Sequence, residues 1–163
     1  LGLDLTGDGR VTNSDVRALS HGQAVDIFIA HYFDSPKISL LPAALQASVF
    51  DMYVNAGSNG VKILQRLVSK MGFECSSDGV IGPLTRAAVV RAHDAAPEFI
   101  ADAYAIERRN YYYRLADQRT ASRKYARRKD GGKGGWIRRA EEFIAPKYHL
   151  SNKEHRERVA KWG

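Results

Sequence analysis

The sequence has few of the residues on which several common classes of protein depend. A single cysteine, Cys75, excludes an internal disulfide framework and a zinc site built from cysteines alone. No apolar run approaches the roughly 18 consecutive residues that a membrane span requires, because the longest, such as residues 27–30, are broken within a turn. The charged start and continuous apolar core of a secretory signal are also missing. We therefore expect no stable membrane insertion, and no signal peptide is visible in this chain.

The apolar content is nevertheless sufficient for a folded protein. Of the 163 residues, 44% are hydrophobic and 10% aromatic, which is enough for one core or two small ones and excludes disorder throughout. Apolar residues recur at helical spacing in several segments separated by proline or glycine, and only residues 73–81 hold short β-like pieces. The sequence predicts a mostly α-helical monomer with at most a small β-hairpin.

Two predictions about single helices can be checked directly. The longest helix is predicted from residue 99 to about residue 118, with an inner face formed by Ile100, Ala103, Tyr104, Glu107, Tyr111 and Leu115. The charged C-terminal segment, residues 151–163, leaves two outcomes open, a final solvated helix or a frayed end.

The net charge of +7 is unevenly distributed along the chain. Residues 1–104 carry 8 basic and 11 acidic residues, whereas residues 105–163 carry 17 basic and 7 acidic residues. The basic C-terminal third suits an anionic partner, either the phosphates of a nucleic acid or the anionic components of a bacterial wall. Because no recognised nucleic-acid-binding motif is present, a nucleic-acid-binding protein is the weaker alternative, and we expect no specific nucleic acid partner.

Residues 4–15 hold the strongest local motif, Asp-Leu-Thr-Gly-Asp-Gly-Arg-Val-Thr-Asn-Ser-Asp. Oxygen donors at loop positions 1, 3 and 5, a glycine at 6, a backbone carbonyl at 7 and a carboxylate at 12 suit Ca²⁺. The motif resembles the calcium loops of EF-hand and dockerin repeats, but the second copy that either would need is absent, so we expect a structural Ca²⁺. The alternative is an Asx-rich turn with an incidental acidic cluster. The expected ligands are Asp4, Thr6, Asp8, the carbonyl of Arg10, and Asp15.

Three further segments carry a family resemblance by their order and spacing. Residues 50–57 read Phe-Asp-Met-Tyr-Val-Asn-Ala-Gly, residues 63–66 read Ile-Leu-Gln-Arg, and residues 78–85 read Asp-Gly-Val-Ile-Gly-Pro-Leu-Thr. Together they resemble the glycoside hydrolase family 108 muramidases, lysozyme-like enzymes of phages, prophages and bacteria with an appended predicted peptidoglycan-binding region. Residues 104–115 and the Gly-Lys-Gly-Gly-Trp segment at 132–136 look like the C-terminal part of that family.

One departure from the family concerns catalysis. The catalytic acid of the family is the Glu of a Glu-Gly-Gly-Tyr motif near the N-terminus, and that motif is not in this sequence. Cleavage of a glycosidic bond needs a carboxylic acid to protonate the leaving oxygen. The expected Glu is therefore placed upstream of Leu1, the catalytic residues are unknown, and we expect the chain as given to bind without cleaving.

The resemblance implies a lysozyme-like fold, a substrate groove and three regions. The candidate groove residues are Asp51, Tyr53, Asn55 and Ser58, although Asp51 also fits a structural role and Asn55 a helix C-terminus. Residues 1–57, with the calcium loop at 4–15, are expected to be the remainder of the catalytic domain. Residues 58–145 are expected to be a peptidoglycan-binding region packed on it, and residues 146–163 a basic tail.

The function expected from the resemblance is that of a peptidoglycan hydrolase. It would be an N-acetylmuramidase that cleaves the β-1,4 bond between N-acetylmuramic acid and N-acetylglucosamine, of phage, prophage or secretion-associated type. Its partners would be glycan strands in the periplasm or at the bacterial cell wall. A non-catalytic peptidoglycan-binding or secretion-activator module is the nearer alternative.

Overall fold

The structure, a computed structural model, describes residues 4–162 and is built almost wholly from helices. Residues 1–3 and Gly163, which belong to the first and last predicted regions, lie outside the described part. The helices are α1 (Asn13–Ala18), α2 (His21–Ile29), α3 (Ala43–Ala56), α4 (Asn59–Lys70), α5 (Pro83–Ala95), α6 (Ile100–Gln118), α7 (Arg123–Ala126), α8 (Gly135–Glu141) and α9 (Asn152–Val159). A π-helical turn (Ala30–Asp34) continues α2, and short 3₁₀ turns lie at Ile38–Leu40, Thr120–Ser122, Pro146–Tyr148 and Ala160–Trp162. None of the helices within residues 4–162 is long and apolar enough to cross a membrane.

The prediction of a mostly α-helical fold is confirmed, and the β-like pieces expected at residues 73–81 are wrong. No strand occurs anywhere in residues 4–162, and the only pairing of this kind found there is an isolated antiparallel bridge between Arg127 and Lys133. Residues 73–82 cross the surface as irregular chain between α4 and α5. Backbone groups of this segment form hydrogen bonds with a side chain of α4 instead of with another strand.

That side chain is Gln65, which is fully buried. Its Nε2 donates to Asp78 Oδ1 at 2.7 Å and to Thr85 Oγ1 at 3.0 Å, while its Oε1 accepts the Gly79 N–H at 2.8 Å. A buried amide needs such partners because an unpaired polar group costs free energy. Two of the motifs behind the family resemblance, residues 63–66 and 78–85, therefore form one structural unit.

Helix α6 lies at the centre of the core and contacts α3, α4, α7 and α8. Its observed inner face differs from the predicted one, because Glu107, Tyr111 and Leu115 are only partly buried whereas Arg108 and Arg109 are buried. The arginines can be buried because each meets a carboxylate, that of Asp51 on α3 and that of Glu141 on α8. The same core cluster extends from Ile38 to Trp162.

The N-terminal helices lie outside this core. Helix α2 starts at the predicted capping box of Ser20 and Gln23 but buries none of its residues. Its connection to the body is aromatic, since the ring of Phe50 on α3 lies edge-on to Phe28 at 5.7 Å and to Phe33 at 5.5 Å. This contact joins α2 and the π-helical turn to α3.

The C-terminal segment forms a helix, one of the two outcomes left open, but α9 is not fully solvated. His155, Val159 and Trp162 are buried, and His155 Nδ1 lies 2.7 Å from the hydroxyl of Tyr113 on α6. The carboxylate of Asp117 at the end of α6 accepts hydrogen bonds from Arg158 and from Trp162 Nε1, each at 2.7 Å. The segment expected to be a basic tail thus contributes to the core.

Replacing Asp117 by asparagine is expected to weaken this docking in a pH-dependent way. The hydrogen bonds from Arg158, and then that from Trp162, hold the pKa of Asp117 well below its usual range. Since the folded pKa lies below the unfolded value of about 3.9, the carboxylate stabilises the fold above about pH 4, and this contribution is lost as the pH falls further. We expect Asp117→Asn to lower the free energy of unfolding by about 1 kcal/mol at pH 7, and by less at pH 3, in urea denaturation. Asp26→Asn, an exposed position, is the control, and an equal cost at both pH values would contradict this account.

Candidate functional site

The candidate site is a surface cavity of about 450 Å³ where α3, α6, α7 and α8 meet. A cavity of this size suits a ligand of one or two sugar rings. Apolar, amide and charged side chains share its wall. It is lined by Asp51, Val54, Asn55, Tyr112, Lys124, Tyr125, Gly135, Trp136 and Arg139.

Three aromatic rings form one side of the cavity. The indole of Trp136 stacks on the ring of Tyr112, with centroids 4.9 Å apart and planes at 20°. Tyr125 lies on Trp136 at 4.8 Å and 31°. Such rings present flat apolar faces with polar tips, which suits a sugar ring because its two faces carry C–H groups and its rim carries hydroxyls.

Gly134 explains how Trp136 comes to lie beside Tyr125. A Cβ atom at Gly134 would lie 2.4 Å from the carbonyl oxygen of Tyr125, so only glycine allows the two chain segments to approach this closely. The Gly134 N–H donates to the carbonyl of Ala126 at 2.9 Å. The Gly-Lys-Gly-Gly-Trp segment thereby fixes the tryptophan in the cavity wall.

Asp51 lies at the floor of the cavity and is only 8% exposed. Its Oδ2 pairs with the buried Arg108, and its Oδ1 accepts a hydrogen bond from Arg139 Nε at 2.6 Å. The hydrogen bond to Asp51 and the negative charge of that carboxylate raise the pKa of Arg139. Because both carboxylate oxygens are engaged by guanidinium groups, neither is placed to deliver a proton to a substrate.

Asn55 lies one turn of α3 beyond Asp51 and also faces the cavity. Its Nδ2 donates to the Tyr112 hydroxyl at 2.6 Å, whereas its Oδ1 has no hydrogen-bond partner among residues 4–162. The position beyond the end of α3 that needs a left-handed backbone is filled by Gly57, with φ of +57°. The Asn55 side chain is therefore free of a capping role and offers one acceptor to a ligand.

The other two predicted groove residues lie elsewhere. Tyr53 is partly buried against the core, and Ser58 is exposed beside Gly79, where the two chain segments are in close contact. Neither lines the cavity. Sequence reasoning did not name four residues of the lining, Lys124, Tyr125, Trp136 and Arg139. The available signal was that Trp136, an aromatic residue, directly follows a glycine-rich turn.

In the predicted calcium loop, the first and last carboxylates accept hydrogen bonds from other residues of the loop. Asp4 accepts the N–H groups of Gly7 and Gly9, both at 2.7 Å, and Asp15 Oδ1 accepts the Thr6 hydroxyl at 2.9 Å. Hydrogen bonds from the backbone N–H of Thr12 and Thr6 hold the pKa of Asp15 well below its usual range.

The donors of this loop are of the kind that Ca²⁺ prefers, and the ligation itself stays a prediction. Carboxylate, hydroxyl and carbonyl oxygens are the hard ligands of Ca²⁺, and the first, third and twelfth loop positions already lie within hydrogen-bond contact. Within residues 4–162, however, no three or more His, Cys, Asp or Glu side chains are grouped as a metal site. Binding would require the carboxylates to exchange backbone N–H groups for the ion.

Comparison with known proteins identifies the family. A profile described as predicted peptidoglycan domain matches residues 59–141, and one described as glycosyl hydrolase 108 matches residues 4–57. No curated protein matches the chain significantly.

Among solved structures, that of Brucella abortus SagA has the same fold. Its TM-score is 0.55 at 22% identity, and the alignment covers 93% of this chain and 70% of that one. The predicted peptidoglycan domain accounts for more than half of the present sequence, so the resemblance seen in the three motifs is confirmed. The chain therefore belongs to the predicted peptidoglycan domain family and carries a glycosyl hydrolase 108 segment in front of that domain.

Proposed function

We propose that the chain binds the glycan strands of peptidoglycan in the cavity between α3 and α8, at the bacterial cell wall or in the periplasm. The observation that carries this is the aromatic wall of Tyr112, Tyr125 and Trp136 in a cavity of about 450 Å³. A sugar ring would lie against this wall, and an N-acetyl N–H would donate to the Oδ1 of Asn55. The cation of Lys124, which forms no ion pair within residues 4–162, lines the same cavity and would favour an anionic glycan.

The complete reaction we propose is that of a lysozyme-like N-acetylmuramidase, cleaving the β-1,4 bond between N-acetylmuramic acid and N-acetylglucosamine. It needs a carboxylic acid to protonate the leaving oxygen. Among the described residues, Asp51 is the only carboxylate in the lining of this cavity, and both of its oxygens are engaged by arginines. By resemblance to the family, we propose that the acid is the Glu of its Glu-Gly-Gly-Tyr motif and that this chain supplies the glycan-binding wall.

Two assays on purified, insoluble peptidoglycan separate binding from cleavage. We expect the 163-residue chain to co-sediment with the peptidoglycan and to leave its turbidity unchanged. The protein carrying the Glu-Gly-Gly-Tyr segment should clear the suspension, and its Glu→Gln variant should bind without clearing. Binding without clearing in every form would favour the non-catalytic or secretion-activator module. Failure to co-sediment would overturn the proposed glycan binding.

The nucleic-acid alternative loses support from the way the basic residues are used. Five cations of the C-terminal third, Arg108, Arg109, Lys133, Arg139 and Arg158, pair with three carboxylates of the fold, those of Asp51, Glu141 and Asp117. Charge that is neutralised internally contributes little to a field that attracts phosphates over a long distance. The excess of arginine is thus explained in part by buried ion pairs of the fold.

We further propose that the loop at residues 4–15 binds one structural Ca²⁺ through Asp4, Thr6, Asp8, the Arg10 carbonyl and Asp15. The motif supplies the oxygen donors in the required order, and the closed loop already brings Asp15 to Thr6. A bound ion would take the place of some hydrogen bonds that Asp4 and Asp15 accept within the loop and would fix the start of α1.

Calcium is expected to raise the melting temperature of the protein by about 2–5 °C, because a ligand that binds only the folded loop stabilises it. The measurement is thermal unfolding by circular dichroism with millimolar CaCl₂ and then with excess EDTA, which should reverse the shift. Asp4→Asn combined with Asp15→Asn should abolish the response, and Asp26→Asn should keep it. An unchanged melting temperature with Ca²⁺ and EDTA would count against the site.

A further inference from the structure

A second cavity, of about 310 Å³, lies between α8, α9 and the turn that precedes α8. The first cavity lies beside the same turn, since Gly135, Trp136 and Arg139 line the first while Gly132, Lys133 and Arg138 line the second. Arg138 and Arg139 are neighbours on α8, where successive side chains point about 100° apart. One helix therefore presents a cation to each cavity.

The second cavity is strongly basic. Four cations and one carboxylate line it, namely Arg128, Lys133, Arg138, Arg156 and Asp130. Arg128 is neutralised by Asp130, and Lys133 by the buried Glu141 at 2.5 Å. Arg138 and Arg156 form no ion pair within residues 4–162, and Asp130 is engaged by Arg128, so two arginines line one concave site without an ion-pair partner of their own.

The fold holds this cavity in shape. The preceding turn is closed by Arg128 N–H donating to the Gly132 carbonyl at 2.8 Å and by Gly132 N–H donating to Asp130 Oδ1 at 2.9 Å. On the other side, α9 starts at a capping box between Ser151 and Glu154, which fixes Asn152 and Arg156 one turn apart. Arg138 and Arg156 are thus held in the lining of one cavity, where a bound anion would offset the repulsion between their like charges.

From this juxtaposition we infer a second binding site, specific for a phosphate group and lined by Arg138, Arg156 and Asn152. Guanidinium groups pair with phosphate oxygens through two parallel hydrogen bonds, and an amide N–H₂ adds a neutral donor. No aromatic side chain from the described part of the chain lines the cavity, so this lining offers no surface on which a nucleic acid base could stack. The ligand that fits is a phosphodiester of a bacterial wall polymer, bound beside the glycan cavity but independently of it.

The test compares two preparations of bacterial wall sacculi, one with its phosphodiester polymer and one stripped of it by hydrofluoric acid. We expect Arg138→Gln combined with Arg156→Gln to lower the affinity for phosphate-bearing sacculi about tenfold and to leave binding to stripped sacculi unchanged. Inorganic phosphate should compete with the phosphate-bearing sacculi better than chloride does at equal ionic strength. Arg86→Gln combined with Lys153→Gln, two exposed positions with the same change of charge, should bind as the parent chain does.

Several outcomes would overturn the inference. The first two are an equal loss of affinity in the control pair and unchanged binding of the Arg138/Arg156 variant to phosphate-bearing sacculi. The other two are competition by phosphate that is no better than competition by chloride, and binding of a single-stranded oligonucleotide that is tighter than binding of the wall polymer. Binding to stripped sacculi reports on the glycan cavity alone, so failure of the proposed function and failure of this site are distinguishable.

Discussion

Replacing Asp51 by alanine is expected to lower the free energy of unfolding by about 3–5 kcal/mol. Asp51 is the shared partner of Arg108, whose side chain is 0% exposed, and of Arg139. A guanidinium keeps its charge at any accessible pH, so removal of the carboxylate leaves a buried cation without compensation. Since domains of this size are stable by only about 5–15 kcal/mol, urea denaturation followed by tryptophan fluorescence should show a large loss of stability.

Three variants serve as controls for this prediction. Arg139→Gln should cost less than about 1 kcal/mol, because the Arg139 side chain is 63% exposed and water screens its pairing. Asp26→Asn, at an exposed position of α2, should be neutral. Asp51→Leu combined with Arg108→Met replaces the pair by apolar groups and should recover most of the stability. A cost below about 1 kcal/mol for Asp51→Ala would show that Arg108 finds another partner.

Replacing Trp136 by alanine is expected to weaken binding to peptidoglycan about 30-fold, corresponding to about 2 kcal/mol. The substitution removes the ring that joins Tyr112 and Tyr125 into one surface. A ligand that rests on this surface loses both its apolar contact and its shape complementarity. The measurement is co-sedimentation with stripped peptidoglycan over a range of protein concentrations, after circular dichroism has shown that the variant is folded.

Phe99→Ala is the matched control, because Phe99 is an aromatic residue 54% exposed and outside the cavity. It should bind peptidoglycan as the parent chain does. Trp136→Phe keeps a smaller flat face and should lose only about threefold to fivefold in affinity. A folded Trp136→Ala variant with unchanged binding would remove the aromatic wall from the proposed site.

Sequence reasoning found part of the candidate site for a local reason. Asp51 and Asn55 were named because they belong to the Phe-Asp-x-x-Val-Asn-x-Gly motif, and their spacing of one helical turn places them on the same face of α3. Tyr53 belongs to the same motif, but the helical spacing of α3 turns it away from the cavity, and Ser58 lies beyond the end of α3. A contiguous motif on a helix therefore predicts the location of a site better than its complete set of residues.

The buried arginines show why the rest could not be predicted. The helical periodicity of α6 placed Glu107, Tyr111 and Leu115 on the predicted inner face. Arg108 and Arg109 were left outside that face, because arginines in a helix are ordinarily solvated. In the structure, Arg108 lies inside because Asp51, 57 residues earlier in the chain, reaches it. Likewise, Trp136 meets Tyr112 only because Gly134 permits the close passage of the chain at Tyr125.

The sequence by itself determined the helical class, the family and the composition of the 4–15 loop, since these depend on local periodicity and on contiguous motifs. Only the tertiary structure decided which cations are neutralised and which remain available. The charge excess of the C-terminal third includes arginines in buried ion pairs, such as Arg108 and Arg109, and two arginines, Arg138 and Arg156, that line one cavity and form no ion pair within residues 4–162. The physical reason is that the energy of a charge depends on its partners and its burial, both of which are set by residues distant in the chain.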